Sequence, residues 1–189
     1  MAVKGQVILK KTVVLVGLMG CGKSSVGKRL AERLKVPFID SDHVIEERAG
    51  SSITQLFEAK GEAYFRELEY EVLSGILNGQ PSILATGGGA YIQERIRELI
   101  HEKAVAVWLN AEFDILLERV SRKKTRPLLE QGNKAEILKN LMDVRYPIYA
   151  NADIVVASGN GPHSIVVNKV VEELLKHQYA FLENIKEIQ

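Results

Sequence analysis

A chain of 189 residues suits one domain with room for a lid, and it can bury a core without disulfides or a structural metal. Hydrophobic residues make up 46% and charged residues 26%, which excludes wholesale disorder. Lys and Arg number 25 against 24 Asp and Glu, a net charge of +1, so no global field draws the chain to nucleic acid or an anionic membrane; the single cysteine, Cys21, excludes a disulfide scaffold and any zinc site built on two thiolates.

Apolar β-branched runs alternate along the chain with longer segments of helical period. A strand is expected at 12–16, followed by a helix at 23–34 with Val26, Leu30 and Leu34 on one face. A short strand follows at 37–39, then helices at 43–49 and 53–77. The remaining strands fall at 82–85, 104–109 and 153–157, separated by helices at 93–101, 112–122 and 135–149, and a helix over 164–177 follows the last strand. The strands show little polar alternation, as a parallel sheet covered on both faces requires. The β-α-β order implies right-handed crossovers and an open, doubly wound α/β fold, with ligands outside the carboxyl ends of the strands. Residues 123–134 break the rhythm, being polar with Pro127 and Gly132, and suit a lid.

No apolar run approaches the roughly 18–20 residues that span a bilayer. Lys4, Lys10 and Lys11 ahead of an apolar stretch ending in Leu18-Met19-Gly20-Cys21 also look like the start of a lipoprotein signal, but the residues after Cys21 explain the same pattern better.

Directly after the first strand comes Gly17-Leu18-Met19-Gly20-Cys21-Gly22-Lys23-Ser24, the pattern G-x-x-x-x-G-K-[ST]. Glycines let backbone N–H groups converge on phosphate oxygens without Cβ clashes, and the helix that follows adds its positive end. Lys23 would reach the β- and γ-phosphates, and the Ser24 hydroxyl would ligate Mg²⁺. Cys21 at this helix start is either a small loop residue or a thiol whose modification blocks nucleotide binding. The segment Asn168-Lys169-Val170-Val171 lacks the Asp with which GTPases read guanine, and no Asp-Glu pair ends an apolar strand as in motor ATPases.

Asp40 and Asp42 follow an apolar strand instead. In extended chain both carboxylates would face one side, one near Mg²⁺ and one accepting from a substrate hydroxyl; alternatively Asp42 caps the helix at 43–49. Thr86-Gly87-Gly88-Gly89 ends another strand and permits close ligand approach. Arg66, with Glu62 at i−4, could be an ordinary helical ion pair. Arg145 precedes Tyr146-Pro147-Ile148-Tyr149. The run Arg119, Arg122, Lys123, Lys124 and Arg126 suits a helix end and lacks the interleaved aromatics of a nucleic-acid surface.

Taken together, these residues resemble the shikimate kinase family over nearly the whole chain. The motifs that carry the resemblance are the loop 17–24, Asp40-x-Asp42, Phe65-Arg66, Gly87-Gly88-Gly89, Arg126-Pro127-Leu128-Leu129 and Arg145-x-Pro147-x-Tyr149. The resemblance implies a five-stranded parallel sheet flanked by helices, of the P-loop kinase type with a lid. It also implies Mg²⁺-dependent transfer of the ATP γ-phosphoryl group to the 3-hydroxyl of shikimate, by a cytoplasmic monomer with no nucleic-acid or membrane partner. Carried over by position, ATP would contact Gly20, Cys21, Gly22, Lys23, Ser24 and Ser25, with Arg119 against the adenine and Arg126 closing from the lid. Asp42, Arg66, Gly88 and Arg145 would bind shikimate, and Asp42, Lys23 and Arg126 would be catalytic. The metal would be held by Ser24 and, through water, by Asp40. Two departures from the family pattern stand out: Ser25 replaces the common Thr, and the late loop 158–162 carries no basic residue. A related small-molecule kinase such as gluconate kinase, or a nucleotide-gated binding module, are the competing readings.

Overall fold

A computed structural model describes residues 6–122 and 133–183. The strand at Thr12–Val16 (β2, after a short β1 at Gln6–Leu9) is buried at every position, as its unbroken TVVLV sequence requires. It is the centre of a five-stranded parallel sheet with β3 (Phe38–Asp40), β4 (Ile83–Ala85), β5 (Ala104–Asn110) and β6 (Ile154–Ala157), in the order β3-β4-β2-β5-β6. Register pairs Val14 with Leu84 on one side and with Ala106 on the other. Chain order runs outward from β2 to one edge and then returns to the other, so the loop after β2 opens where the strand order switches.

Helices cover the sheet. The first, α1 (Lys23–Leu34), buries Val26, Leu30 and Leu34 against it. Its Gly27 lies so close to the sheet that a Cβ there would meet the Phe38 ring at 2.6 Å. Then come α2 (Ser41–Ala49), α3 (Ile53–Leu77), α4 (Glu94–Lys103), α5 (Phe113–Ser121), α6 (Lys134–Tyr149) and α7 (His163–Lys176). A capping box starts α3: the Ser52 hydroxyl accepts from Gln55 N, and Gln55 Oε1 accepts from Ser52 N. A second, smaller core (Ile45, Leu56, Phe65, Leu68 and Val72) joins α2 to α3 beside the main one.

The α/β expectation and the five strands hold, while the start of α2 and the geometry within α3 differ from the expectation. The helix expected at 43–49 starts two residues earlier, at Ser41, because the side chain of Asp40 caps it by accepting from Asp42 N at 3.2 Å. Asp42 is therefore a first-turn residue, not the cap, and the alternation argument fails because the chain turns into helix between the two carboxylates. The segment 53–77 is two helices joined at Gly61, whose φ of 79° leaves the helical region. Residues before and after the expected elements pair as a two-stranded antiparallel ribbon, β1 with β7 (Ala180–Glu183), in register from Gln6 opposite Glu183 to Leu9 opposite Ala180. Most of the expected lid, together with Arg126, lies outside the described residues; Asn133 and Lys134 cap and begin α6.

Candidate active site

The loop between β2 and α1 wraps around backbone that only glycine tolerates. Gly17, Gly20 and Gly22 have φ of 135°, 87° and 99°, and a Cβ on Gly17 would lie 2.9 Å from the carbonyl oxygen of Leu109. The loop carbonyls are held by donors. Lys23 Nζ donates to Gly17 O (2.7 Å) and Leu18 O (3.1 Å), and Cys21 N also donates to Leu18 O. Arg119, from α5, donates to Gly20 O at 3.2 Å and to Gly159 O at 2.5 Å, while the Ser158 hydroxyl donates to Cys21 O at 2.7 Å. Arg119 thus supplies a basic group to a late loop that has none of its own. Cys21 is fully buried, with Sγ packed on Gly17, so its thiol is a packing group and the modification hypothesis loses its access route.

Across the cleft, the glycine triplet after β4 meets three charged side chains, one per residue. A Cβ on Gly87 would lie 2.7 Å from Asp42 Oδ1, one on Gly89 3.2 Å from both Arg66 Nη atoms, and one on Gly88 3.6 Å from Arg145 Nη1. Arg145 Nη1 donates to Gly88 O at 3.2 Å, and the buried Tyr149 hydroxyl donates to the same oxygen at 2.5 Å. Gly88 also lies within 3.8 Å of Met19 N and 3.6 Å of Gly17 O, measured from its Cβ position, so the triplet abuts the phosphate loop. Asp42, Arg66, Gly88 and Arg145, which are scattered along the sequence, are thereby brought together.

Arg66 does have the expected helical partner, Glu62, which takes Nε at 3.2 Å and Nη2 at 3.1 Å. It has a second partner that sequence reasoning missed. Glu69, only 1% exposed, accepts from Arg66 Nη1 at 2.8 Å and from Gln93 Nε2 at 2.7 Å. A glutamate at helical spacing among Phe65, Leu68 and Val72 is the signal that could have found it. Burial raises the Glu69 pKa, and the bond from Arg66 and its charge pull it down. Ser158 had no assigned role, although the late loop 158–162 that it begins was singled out.

Asp42 carries the site's largest electrostatic perturbation of a carboxylate. Burial first, then the negative charge of Asp40, raises its pKa from 3.8 to about 6, with Lys23 opposing. Its ionised form is a poised proton acceptor near neutral pH. Asp40 instead faces the phosphate loop, accepting from Ser24 Oγ at 3.0 Å. A hydroxyl and a carboxylate, both exposed to the cleft, are hard oxygen donors of the kind Mg²⁺ takes. Among the described residues there is no group of three or more His, Cys, Asp or Glu that could hold a metal ion.

A glycine-rich phosphate loop at the switch point of a parallel sheet, facing a carboxylate and two arginines, has the architecture of a P-loop kinase. The sequence model of the family described as "Shikimate kinase" matches residues 19–175. The chain is 46% identical to a shikimate kinase of Bartonella quintana over 170 residues, covering 90% of this chain and 81% of that one. It superposes with a TM-score of 0.84 on the shikimate kinase of Acinetobacter baumannii solved in complex with shikimate, at 36% identity, covering 89% and 94% of the two chains. A gluconokinase from Sinorhizobium meliloti shares the fold (TM-score 0.61) at 17% identity, covering 91% and 97%. The chain belongs to the shikimate kinase family.

Proposed function

We propose that this cleft transfers the γ-phosphoryl group of ATP to the 3-hydroxyl of shikimate, giving shikimate 3-phosphate and ADP. The observation that carries the assignment of residues is the one-to-one meeting of Gly87, Gly88 and Gly89 with Asp42, Arg145 and Arg66. Three positions without side chains leave a floor onto which a small ring can settle against all three charged groups. Arg66 and Arg145 hold the substrate carboxylate, a task suited to planar guanidinium forks. Glu69 and Gln93 keep Arg66 turned toward the triplet. Asp42 accepts from the ring hydroxyls and takes the proton of the attacking one as it approaches phosphorus.

Gly20, Cys21, Gly22, Ser24 and Ser25 present the phosphate loop and helix start to the nucleotide, and Lys23 exchanges its loop carbonyls for phosphate oxygens. Arg119, bonded to the Gly20 and Gly159 carbonyls, serves the adenine side, and the catalytic role expected of Arg126, outside the described residues, rests on the family resemblance alone. Ser24 and, through water, Asp40 are the residues that hold Mg²⁺. When bound, the ion neutralises phosphate charge and keeps the transferring group in line. Most of the acceleration then comes from position and charge rather than covalent chemistry. The family resemblance is what supports a cytoplasmic monomer, and the near-zero net charge supports the lack of a nucleic-acid partner; among the described residues no helix is long and apolar enough to cross a membrane.

An ADP-release assay tests the reading. Turnover is expected with ATP, Mg²⁺ and shikimate together, and not when shikimate is replaced by gluconate. Folded protein that binds ATP yet shows no shikimate-stimulated release overturns it.

A further inference from the structure

The carbonyls of the phosphate loop and its N–H groups belong to the same planar peptides, so fixing one fixes the other in the opposite direction. The peptide joining Cys21 to Gly22 is a clear instance. Its carbonyl accepts the Ser158 hydroxyl at 2.7 Å. Its N–H, on Gly22, has no acceptor among the described residues and sits at the start of α1, where the next free amides of the helix also begin.

We infer that Ser158 is a positioning residue for the nucleotide: by holding the Cys21 carbonyl away from the cleft, it aims the Gly22 N–H at the phosphates. Ser158 comes from the far end of the chain, beyond β6, and is 4% exposed. It is itself fixed, since its own N–H donates to Asn110 O at 2.7 Å and its hydroxyl also lies 3.5 Å from Arg119 Nη1. Gly22 has a φ of 99°, outside the well that most residues favour, and its Cβ position lies 3.8 Å from Ser158 Oγ, so the hydroxyl packs directly behind the peptide it restrains. Without that bond, the peptide can rotate and turn its carbonyl oxygen toward anionic phosphate. Ser158 touches no reacting atom; it acts through the loop.

The inference rests on the nucleotide half of the proposed function and is independent of which alcohol is phosphorylated. Equilibrium binding of ADP and of adenosine to Ser158→Ala, Ser158→Thr and the parent chain tests it, with steady-state ADP release as a second readout. Loss of one charge-assisted amide contact predicts ADP affinity about tenfold weaker in Ser158→Ala. Adenosine binding stays within twofold, ATP KM rises while shikimate KM does not, and Ser158→Thr restores the parent values. Equal weakening of ADP and adenosine, unchanged ADP affinity, or no rescue by threonine would overturn the role, because a merely structural hydroxyl lowers stability without selecting for phosphate. The binding arm reads out even if shikimate proves not to be the acceptor, so failure of the two proposals is distinguishable.

Discussion

The two walls of the cleft are built by opposite strategies. The phosphate wall is one continuous stretch, Gly17 to Ser24, whose carbonyls are held by Lys23, Arg119 and Ser158. The acceptor wall is assembled from α2, α3, α6 and the triplet after β4, and most of its charge is held in salt bridges or at a shifted pKa. A contiguous wall is prearranged by local geometry, which suits a ligand as invariant as a triphosphate. A composite wall must be held by its own contacts, Arg66 by Glu62 and Glu69 and Arg145 by the Gly88 carbonyl, before any ligand arrives.

Breaking the acceptor wall at Asp42 has the largest expected effect. Asp42→Asn loses about 10²- to 10⁴-fold in turnover, the usual contribution of a positioned base, while ATP binding by calorimetry stays near the parent value. Near-parent turnover would remove Asp42 from the chemistry. In the parent chain, kcat/KM falls as pH drops through about 6, where Asp42 takes up its proton. The same shift has a stability sign. Between 3.8 and about 6 only the folded chain holds that proton, so stability declines as pH rises through the window, and the buried charge remains a cost above it. Asp42→Asn therefore melts higher than the parent at pH 7.5, and the gain disappears below 3.8. A lower melting temperature at pH 7.5 would mean that the carboxylate is supported rather than strained.

Arg66→Ala comes next. It removes a fork for the substrate carboxylate and leaves Glu69 buried beside Gln93 alone, so shikimate KM rises roughly 10- to 100-fold and stability falls by about 1–2 kcal/mol. A change in ATP KM instead would join the two walls into one. On the phosphate side, Gly17→Ala costs about 1–3 kcal/mol in chemical denaturation, since φ of 135° and the Leu109 carbonyl both oppose a Cβ. The smallest effect concerns Cys21. Its native thiol labels at least about tenfold more slowly than in urea-unfolded chain, as a fully buried side chain should. Equal rates would show the loop to be open.

What could be read in advance follows the same division. The phosphate loop was legible because its chemistry lies within eight successive residues, and β2, β5 and α1 because their apolar period is unbroken. Asp42 was legible as a residue but not in its geometry, since the Asp40 cap that turns the chain into α2 competes with strand alternation. Glu69 could have been found from its i+3 spacing to Arg66 among apolar positions, whereas Ser158 acts on a loop distant in sequence and the β1–β7 ribbon pairs segments about as far apart as the described residues allow. Those last two contacts leave no periodic trace.

That ribbon brings Gln6 and Glu183 opposite one another, roughly one strand spacing of about 5 Å apart. The ribbon is thus a seam that ties the first described strand to the last. Closing that seam requires bringing together residues at the two extremes of the described chain, at the steepest loop-closure cost in the molecule. A short covalent bridge across it would move this cost into the unfolded state.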